Sequence, residues 1–286
     1  MRVTILGAGT AIPAKRHSPA GLYVRVANEH ILLDAGPGTL QRLYAAGAPY
    51  QHLDRIFLTH FHIDHCLDLV SILFALRLPA PREGRSRVSA RLPAPARFAS
   101  QSEAAGAQAG QAGIPQLRRR KPLAVYGPLG LKRLYTRLNT AFHGWLTPRG
   151  FRVTFTELAE AAIRLPGYTV RTQRMNHYAT KAVGYRLTAG GKSLAYSGDT
   201  DVCDGIVRLG QGTEVLILEC SVPDERKVDG HLTPSECGRI AAQAGCRHLV
   251  LTHFYPVFQG YDVRAGVRRF FRGRLTLAHD STALSL

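Results

Sequence analysis

Long hydrophobic runs are missing from this 286-residue chain. No stretch approaches the ~20 uninterrupted apolar residues that cross a bilayer, which excludes a membrane-spanning helix as the organising element. The opening residues Met1-Arg2-Val3-Thr4-Ile5-Leu6-Gly7 lack the apolar core and small-residue cleavage site of a secretory signal. They read as a first β-strand entering a glycine turn, and a cytoplasmic location is the expectation. Cysteine is sparse: Cys66, Cys203, Cys220, Cys237 and Cys246 are odd in number and form no CxxC pair. A disulfide framework is therefore disfavoured. Acidic residues are also few. Twenty Asp and Glu stand against 37 Lys and Arg, a net charge of +17, and such a balance attracts polyanions by steering and counterion release. Only six of the basic residues are lysines. The arginine excess, beside abundant Ala and Gly, equally fits a compositional bias of the genome.

The remainder is ordinary for a globular chain: 45% hydrophobic, 20% charged, with 28 Gly and 16 Pro. That is too apolar for disorder and too interrupted for a coiled coil. Short β-branched and leucine-rich runs at 2–6, 22–27, 30–34 and 54–59 predict strands closed by glycine turns. Helical spacing covers 38–46 and 67–78. From Pro79 to Pro122 the pattern fails. Nine basic residues there (Arg82, Arg85, Arg87, Arg91, Arg97, Arg118, Arg119, Arg120 and Lys121) face only Glu83 and Glu103. A stretch of this length and composition reads as an inserted surface loop. Beyond it, a strand at 123–127 and a helix at 129–142 precede five strand-like segments between 151 and 197. A strand at 214–219, a helix at 234–244, a strand at 247–252, a basic helix near 262–271 and a last strand near 274–278 complete the chain. Two strand-rich halves, each with its own helices, predict stacked sheets covered outside by helices. The expectation is an α/β chain forming one domain over 1–286, with a low-complexity basic insertion at about 80–121.

The densest chemical signal is Thr59-His60-Phe61-His62-Ile63-Asp64-His65. Three imidazoles and a carboxylate follow directly on a strand. Such nitrogen and oxygen donors suit Zn²⁺, with Mn²⁺ or Fe²⁺ as alternatives. In an extended loop, His60 and His62 project to one side. They can grip one metal while Asp64 and His65 turn towards a second.

His60-Phe61-His62-Ile63-Asp64-His65 resembles the HxHxDH loop of the metallo-β-lactamase superfamily. Leu33-Asp34-Ala35-Gly36 resembles its early Asp-x-Gly turn. His177, upstream of Val183-Gly184-Tyr185-Arg186, resembles the third metal histidine. Ser197-Gly198-Asp199-Thr200 resembles the bridging-aspartate turn, and Leu251-Thr252-His253-Phe254 the last histidine. The resemblance implies a four-layer αββα sandwich and two zinc ions. It places His60, His62 and His177 on one ion, Asp64, His65 and His253 on the other, and Asp199 between them. Two ions held about 3.5–4 Å apart activate a nucleophile and stabilise attacking and leaving oxygens. Asp64 would also orient that nucleophile or accept its proton.

Within the superfamily, Gly230-His231-Leu232-Thr233-Pro234-Ser235-Glu236 and the Gly-Asp-Thr bridge resemble ribonuclease Z and related phosphodiesterases. That resemblance implies a catalytic His231, assisting at the scissile phosphate, and an RNA substrate such as tRNA. It leaves a homodimer open. An imidazole suits the task, because its ordinary pKa near 6.5 lets it donate near neutrality. The bland reading of His231 is a helix-entry residue, since Thr233 and Glu236 form a capping-box pattern with Pro234 at the first helical position. One departure concerns substrate. Members that mature tRNA typically carry a flexible arm between the third histidine and the bridging aspartate. Here only 21 residues separate His177 from Asp199, enough for two strands and a turn.

Two competing functions remain open at this level. The same metals and fold serve lactones and other esters, and a non-catalytic nucleic-acid-binding protein would use the basic surface alone. Three features are discounted. Gly7-Ala8-Gly9-Thr10 does not complete a dinucleotide fingerprint and reads as a tight strand-end turn. The arginines at 264, 268, 269, 272 and 274 read as the solvated face of a terminal helix, and Cys66 as a small buried residue.

Overall fold

The computed structural model describes residues 1–78, 121–258 and 260–286. The basic stretch expected as an insertion at about 80–121 lies outside them except for Lys121, whose ammonium pairs with the Asp54 carboxylate.

The chain first lays down β1 (Arg2–Gly7), β2 (Gly21–Val26), β3 (Glu29–Leu33), β4 (Arg55–Phe57), β5 (Leu123–Gly127) and β6 (Val153–Glu157) in spatial order. The first three pair antiparallel, and β3 to β6 run parallel. The second sheet starts with β7 (Ala161–Leu165), β8 (Tyr168–Met175), β9 (Ala182–Ala189) and β10 (Lys192–Tyr196), an antiparallel meander. It continues in parallel through β11 (Val215–Glu219), β12 (His248–Thr252) and β13 (Arg274–Leu277). Finally β14 (Ala283–Ser285) returns to the first sheet and pairs with β1. Each sheet thus has seven strands among the described residues.

Alternation decides what the sheets bury. Ile5, Leu22, Ile31 and Phe57 from one sheet meet Tyr185, Leu194, Ile217 and Val250 from the other in a dry layer. On the outer face of the first sheet, α1 (Thr39–Ala45), α2 (Ile63–Cys66), α3 (Asp68–Arg77) and α4 (Leu131–Ala141) surround Leu32, Ile56, Leu69 and Val125. On the outer face of the second, α5 (Asp204–Gly210), α6 (Pro234–Ala244) and α7 (Val263–Arg268) cover Leu216, Leu249 and Leu251. The architecture is the four-layer αββα sandwich.

Local chemistry accounts for the boundaries. Helix α6 starts at the capping box expected from sequence: the Thr233 side chain accepts from the backbone of Glu236, whose carboxylate accepts from Thr233 N–H at 3.0 Å. Gly245, at φ +62°, ends it. The segment between His177 and Asp199 forms β9 and β10 joined at Gly190-Gly191, both left-handed. The Gly7–Gly9 turn is a close-approach site, since a Cβ on Gly7 would lie 1.9 Å from the Pro19 carbonyl oxygen. All five cysteines are free thiols.

Candidate metal centre

The C-terminal ends of β3, β4, β8, β10, β11 and β12 open at one edge of the sandwich, and the polar residues singled out from sequence sit there. His60 and His62 follow β4, while Asp64 and His65 lie in α2. His177 stands two residues past β8, Asp199 three past β10, and His253 directly past β12. Gly198 allows the two sheets' loops to touch: a Cβ there would approach the Thr59 Cβ to 2.5 Å. Two hydrogen bonds fasten the same seam, Val183 N–H to the Thr59 carbonyl at 2.9 Å and Tyr185 O–H to the Leu58 carbonyl at 2.7 Å.

The seven predicted ligands converge in two groups. His60, His62, His177 and Asp199 each offer one donor atom, all within 4.8 Å of one another, and Asp64, His65 and His253 do the same. Asp199 lies between the groups and uses a different oxygen for each. Its Oδ2 is 3.7 Å from both His60 Nε2 and His177 Nε2. Its Oδ1 is 3.2 Å from His65 Nε2 and 3.4 Å from His253 Nε2. His60 Nε2 and Asp199 Oδ1 are buried with no hydrogen-bond partner among the described residues. Orphaned buried polar atoms cost about 1–3 kcal/mol each. Ring nitrogens also face each other, His65 Nε2 and His253 Nε2 at 3.1 Å, and His177 Nε2 and His62 Nδ1 at 3.2 Å. Convergent imidazoles and carboxylates are the donor set a divalent cation satisfies.

The far side of each ring decides which nitrogen carries the lone pair. His177 Nδ1–H donates to the Gly230 carbonyl at 2.8 Å. His65 Nδ1–H donates to Asp34 Oδ2 at 2.8 Å. Thr59 Oγ1–H donates to the same Asp34 oxygen at 2.9 Å, so that hydroxyl oxygen accepts from His60 Nδ1–H at 3.0 Å. Ser221 Oγ–H donates to Glu219 Oε2 at 2.6 Å and accepts from His253 Nδ1–H at 3.0 Å. In all four rings the network engages Nδ1 and turns Nε2 inward, towards Asp199. Asp34, fully buried at φ +58°, is the hub: it also accepts from Thr59 N–H at 2.7 Å and Tyr196 O–H at 2.8 Å. His253 is likewise left-handed, at φ +61°, a strain that persists where surroundings over-determine it.

Charge in the site points the same way. Burial holds His60, His62 and His177 below the usual imidazole pKa, which keeps them neutral donors. Burial would lower His65 too, but Asp199 and Asp34 outweigh it and drive the pKa well upward. The Asp199 carboxyl would be raised by burial, yet His253 and His65 hold it well below the carboxylate range. Asp64 is also held low: burial is overcome by His253, whose Nε2 lies 3.5 Å from its Oδ2, and by the charge of His65. Its Oδ2 accepts from Ala11 N–H at 3.0 Å. This is a pocket whose field calls for positive charge.

His231 stands beside the cluster, its ring stacked on His253 at 5.8 Å and 16°. It does not cap α6, because Thr233 does. Its Nδ1 is 2.9 Å from Glu219 Oε1, which leaves Nε2 as the nitrogen without a hydrogen-bond partner among the described residues. Burial lowers the His231 pKa, but the hydrogen bond and charge of Glu219 outweigh it, and the net shift is upward. Glu219 was not among the residues expected from sequence. Its signal was there to read: a carboxylate closing the all-apolar strand Val215-Leu216-Ile217-Leu218, buried to 1%, demands a specific partner.

Fold and site together define a metal-dependent hydrolase. The beta-lactamase superfamily domain matches residues 29–254, and the chain belongs to that superfamily. It is 31% identical to Ribonuclease Z of Streptomyces coelicolor, across 98% of this chain and 96% of that one. Among solved structures, the short form of human tRNase Z superposes with a TM-score of 0.72 at 23% identity, covering 100% and 99% of the two chains. The metallo-beta-lactamase fold protein YhfI from Bacillus subtilis gives 0.73 at 20% identity, covering 99% of each. No helix among the described residues is long and apolar enough to cross a membrane.

Proposed function

We propose that the chain is a dinuclear zinc phosphodiesterase of the ribonuclease Z type, with RNA as its substrate class. The observation that carries this reading is Asp199, whose two oxygens address two separate donor groups while one of them is orphaned and buried. His60, His62 and His177 would hold one ion, Asp64, His65 and His253 the other, and Asp199 would bridge. Two divalent ions so placed supply Lewis-acid polarisation of a phosphoryl group and lower the pKa of a water.

The chain's own residues do the rest. Asp64 has one oxygen tied to Ala11 N–H, which fixes the carboxylate so that its other oxygen can orient the attacking water. Glu219 keeps the proton on His231 Nδ1 and favours the imidazolium. His231 Nε2–H is then available to donate to a non-bridging phosphate oxygen or to the departing alkoxide. Because β9 and β10 fill the span from His177 to Asp199, RNA is proposed as a class without assigning tRNA. The test is a panel of model substrates given to zinc-loaded protein. Phosphodiesters should exceed carboxylic esters and lactones in kcat/KM by orders of magnitude. The reverse order would move the assignment to a lactonase or other esterase on the same metals.

A further inference from the structure

We infer that Tyr178 and Tyr255 form an aromatic clamp that takes a nucleobase beside the reacting phosphodiester, so that the site prefers nucleoside esters to simple ones. The inference deepens the phosphodiesterase reading and rests on it. The two tyrosines flank His231: its ring centroid is 5.8 Å from Tyr178 at 79° and 6.0 Å from Tyr255 at 76°. Each is also seated on a proposed metal ligand, Tyr178 on His177 at 4.8 Å and Tyr255 on His253 at 5.9 Å. The rings therefore stand where the substituents of a phosphate held at His231 must pass.

Tyr178 is placed at a cost. It adopts φ +47°, a conformation unfavourable for a bulky residue. It remains 56% exposed while His177 beneath it is fully buried. Gly230, itself left-handed, makes room for it: a Cβ there would lie 3.1 Å from two Tyr178 ring atoms. A strained, pre-positioned ring with one open face gains nothing for the core, and its chemistry suits a second flat ring. Ile12 and Ile63, on the two segments that meet at Asp64, are 50% and 64% exposed. The lysine beside the mouth, Lys227, is occupied by Asp201 at 2.6 Å and Glu236 at 2.8 Å. Aromatic walls take the π-face of a base, and do so with little regard to its identity.

Two p-nitrophenyl phosphodiesters sharing a leaving group test this: the thymidine 5′-ester and the methyl ester, each hydrolysed by wild type, Tyr178→Ala and Tyr178→Phe. In parallel, calorimetry measures thymidine 5′-monophosphate and inorganic phosphate binding, which needs no turnover. The clamp predicts that wild type favours the thymidine ester. Tyr178→Ala should raise KM for that ester about 10- to 100-fold, leave kcat little changed, and spare the methyl ester. Nucleotide affinity should fall in step while phosphate affinity holds, and Tyr178→Phe should behave as wild type in both assays. Tyr255→Ala should reproduce the loss of nucleotide affinity. Equal treatment of the two esters by wild type, or equal damage to both in Tyr178→Ala, overturns the clamp. If neither ester is turned over but nucleotide binding still depends on Tyr178, the clamp stands and the phosphodiesterase reading fails.

Discussion

Replacing Asp34 by Asn separates a structural carboxylate from the metal chemistry it supports. Asp34 Oδ2 accepts from His65, Thr59 Oγ1 and Tyr196, and Oδ1 accepts from Thr59 N–H. An asparagine has one acceptor oxygen and one NH₂ group, and neither orientation satisfies this set. With its oxygen in place of Oδ2, the NH₂ group opposes the Thr59 backbone N–H and leaves a buried donor unpaired. That costs about 1–3 kcal/mol, a fall in Tm of about 2–10 °C for a chain of this size. With the amide reversed, the two hydroxyls can rotate to accept, but His65 must move its proton to Nε2. The nitrogen aimed at Asp199 and His253 then stops being a donor to metal. Loss of such a supporting contact typically weakens metal affinity 10- to 100-fold. Differential scanning calorimetry of stripped protein and a chelator-competition titration with zinc read the two outcomes separately. A variant with both wild-type Tm and wild-type zinc affinity would refute the role given to Asp34.

Asp199→Ala should lose one or both metal equivalents and phosphodiesterase activity together, as mass spectrometry of bound metal beside a rate assay would show. His231→Ala should keep its metals but lose about 10²–10⁴ in kcat, and Glu219→Gln should give a smaller loss whose high-pH limb lies below that of wild type. Sign and direction follow from the raised pKa of His231: activity needing the imidazolium persists above its ordinary pKa and falls as pH climbs through the shifted value. His248, held at about 4 by burial and Arg274, stays neutral in the fold while its unfolded pKa is near 6.5. It contributes up to about 3 kcal/mol of stability that is whole above pH 6.5 and is lost as pH falls towards 4. His248→Gln should flatten that part of the stability–pH curve in urea melts.

Much of the fold was legible because its strands obey simple rules. The runs at 168–174, 183–189 and 214–219 lie within a residue of β8, β9 and β11, and Thr233-Pro234-Ser235-Glu236 announced the start of α6. The His60–His65 loop was legible for a similar reason, since its donors are neighbours in sequence. What escaped detection was either too short or too distant. Helix α5 is seven residues with two glycines, a poor helix former by propensity. Gly205 is needed there because a Cβ would meet the Arg174 carbonyl oxygen at 2.2 Å. Strand β14 has three residues and exists only through its pairing with β1. Glu219 and His231 meet across a turn and a strand end, and Asp34 reaches Tyr196 over 162 positions. Such partnerships are set by the packing of two sheets, which no local pattern encodes.

A two-metal centre that cleaves phosphodiesters must lose and regain activity with its metal. Stripped protein titrated with zinc, with bis(p-nitrophenyl) phosphate hydrolysis followed at each addition, tests it most directly. The account predicts no turnover without metal and activity that rises to a break at two equivalents per chain. A break at one equivalent would contradict the bridging role of Asp199. Full metal loading without turnover would contradict the phosphodiesterase assignment.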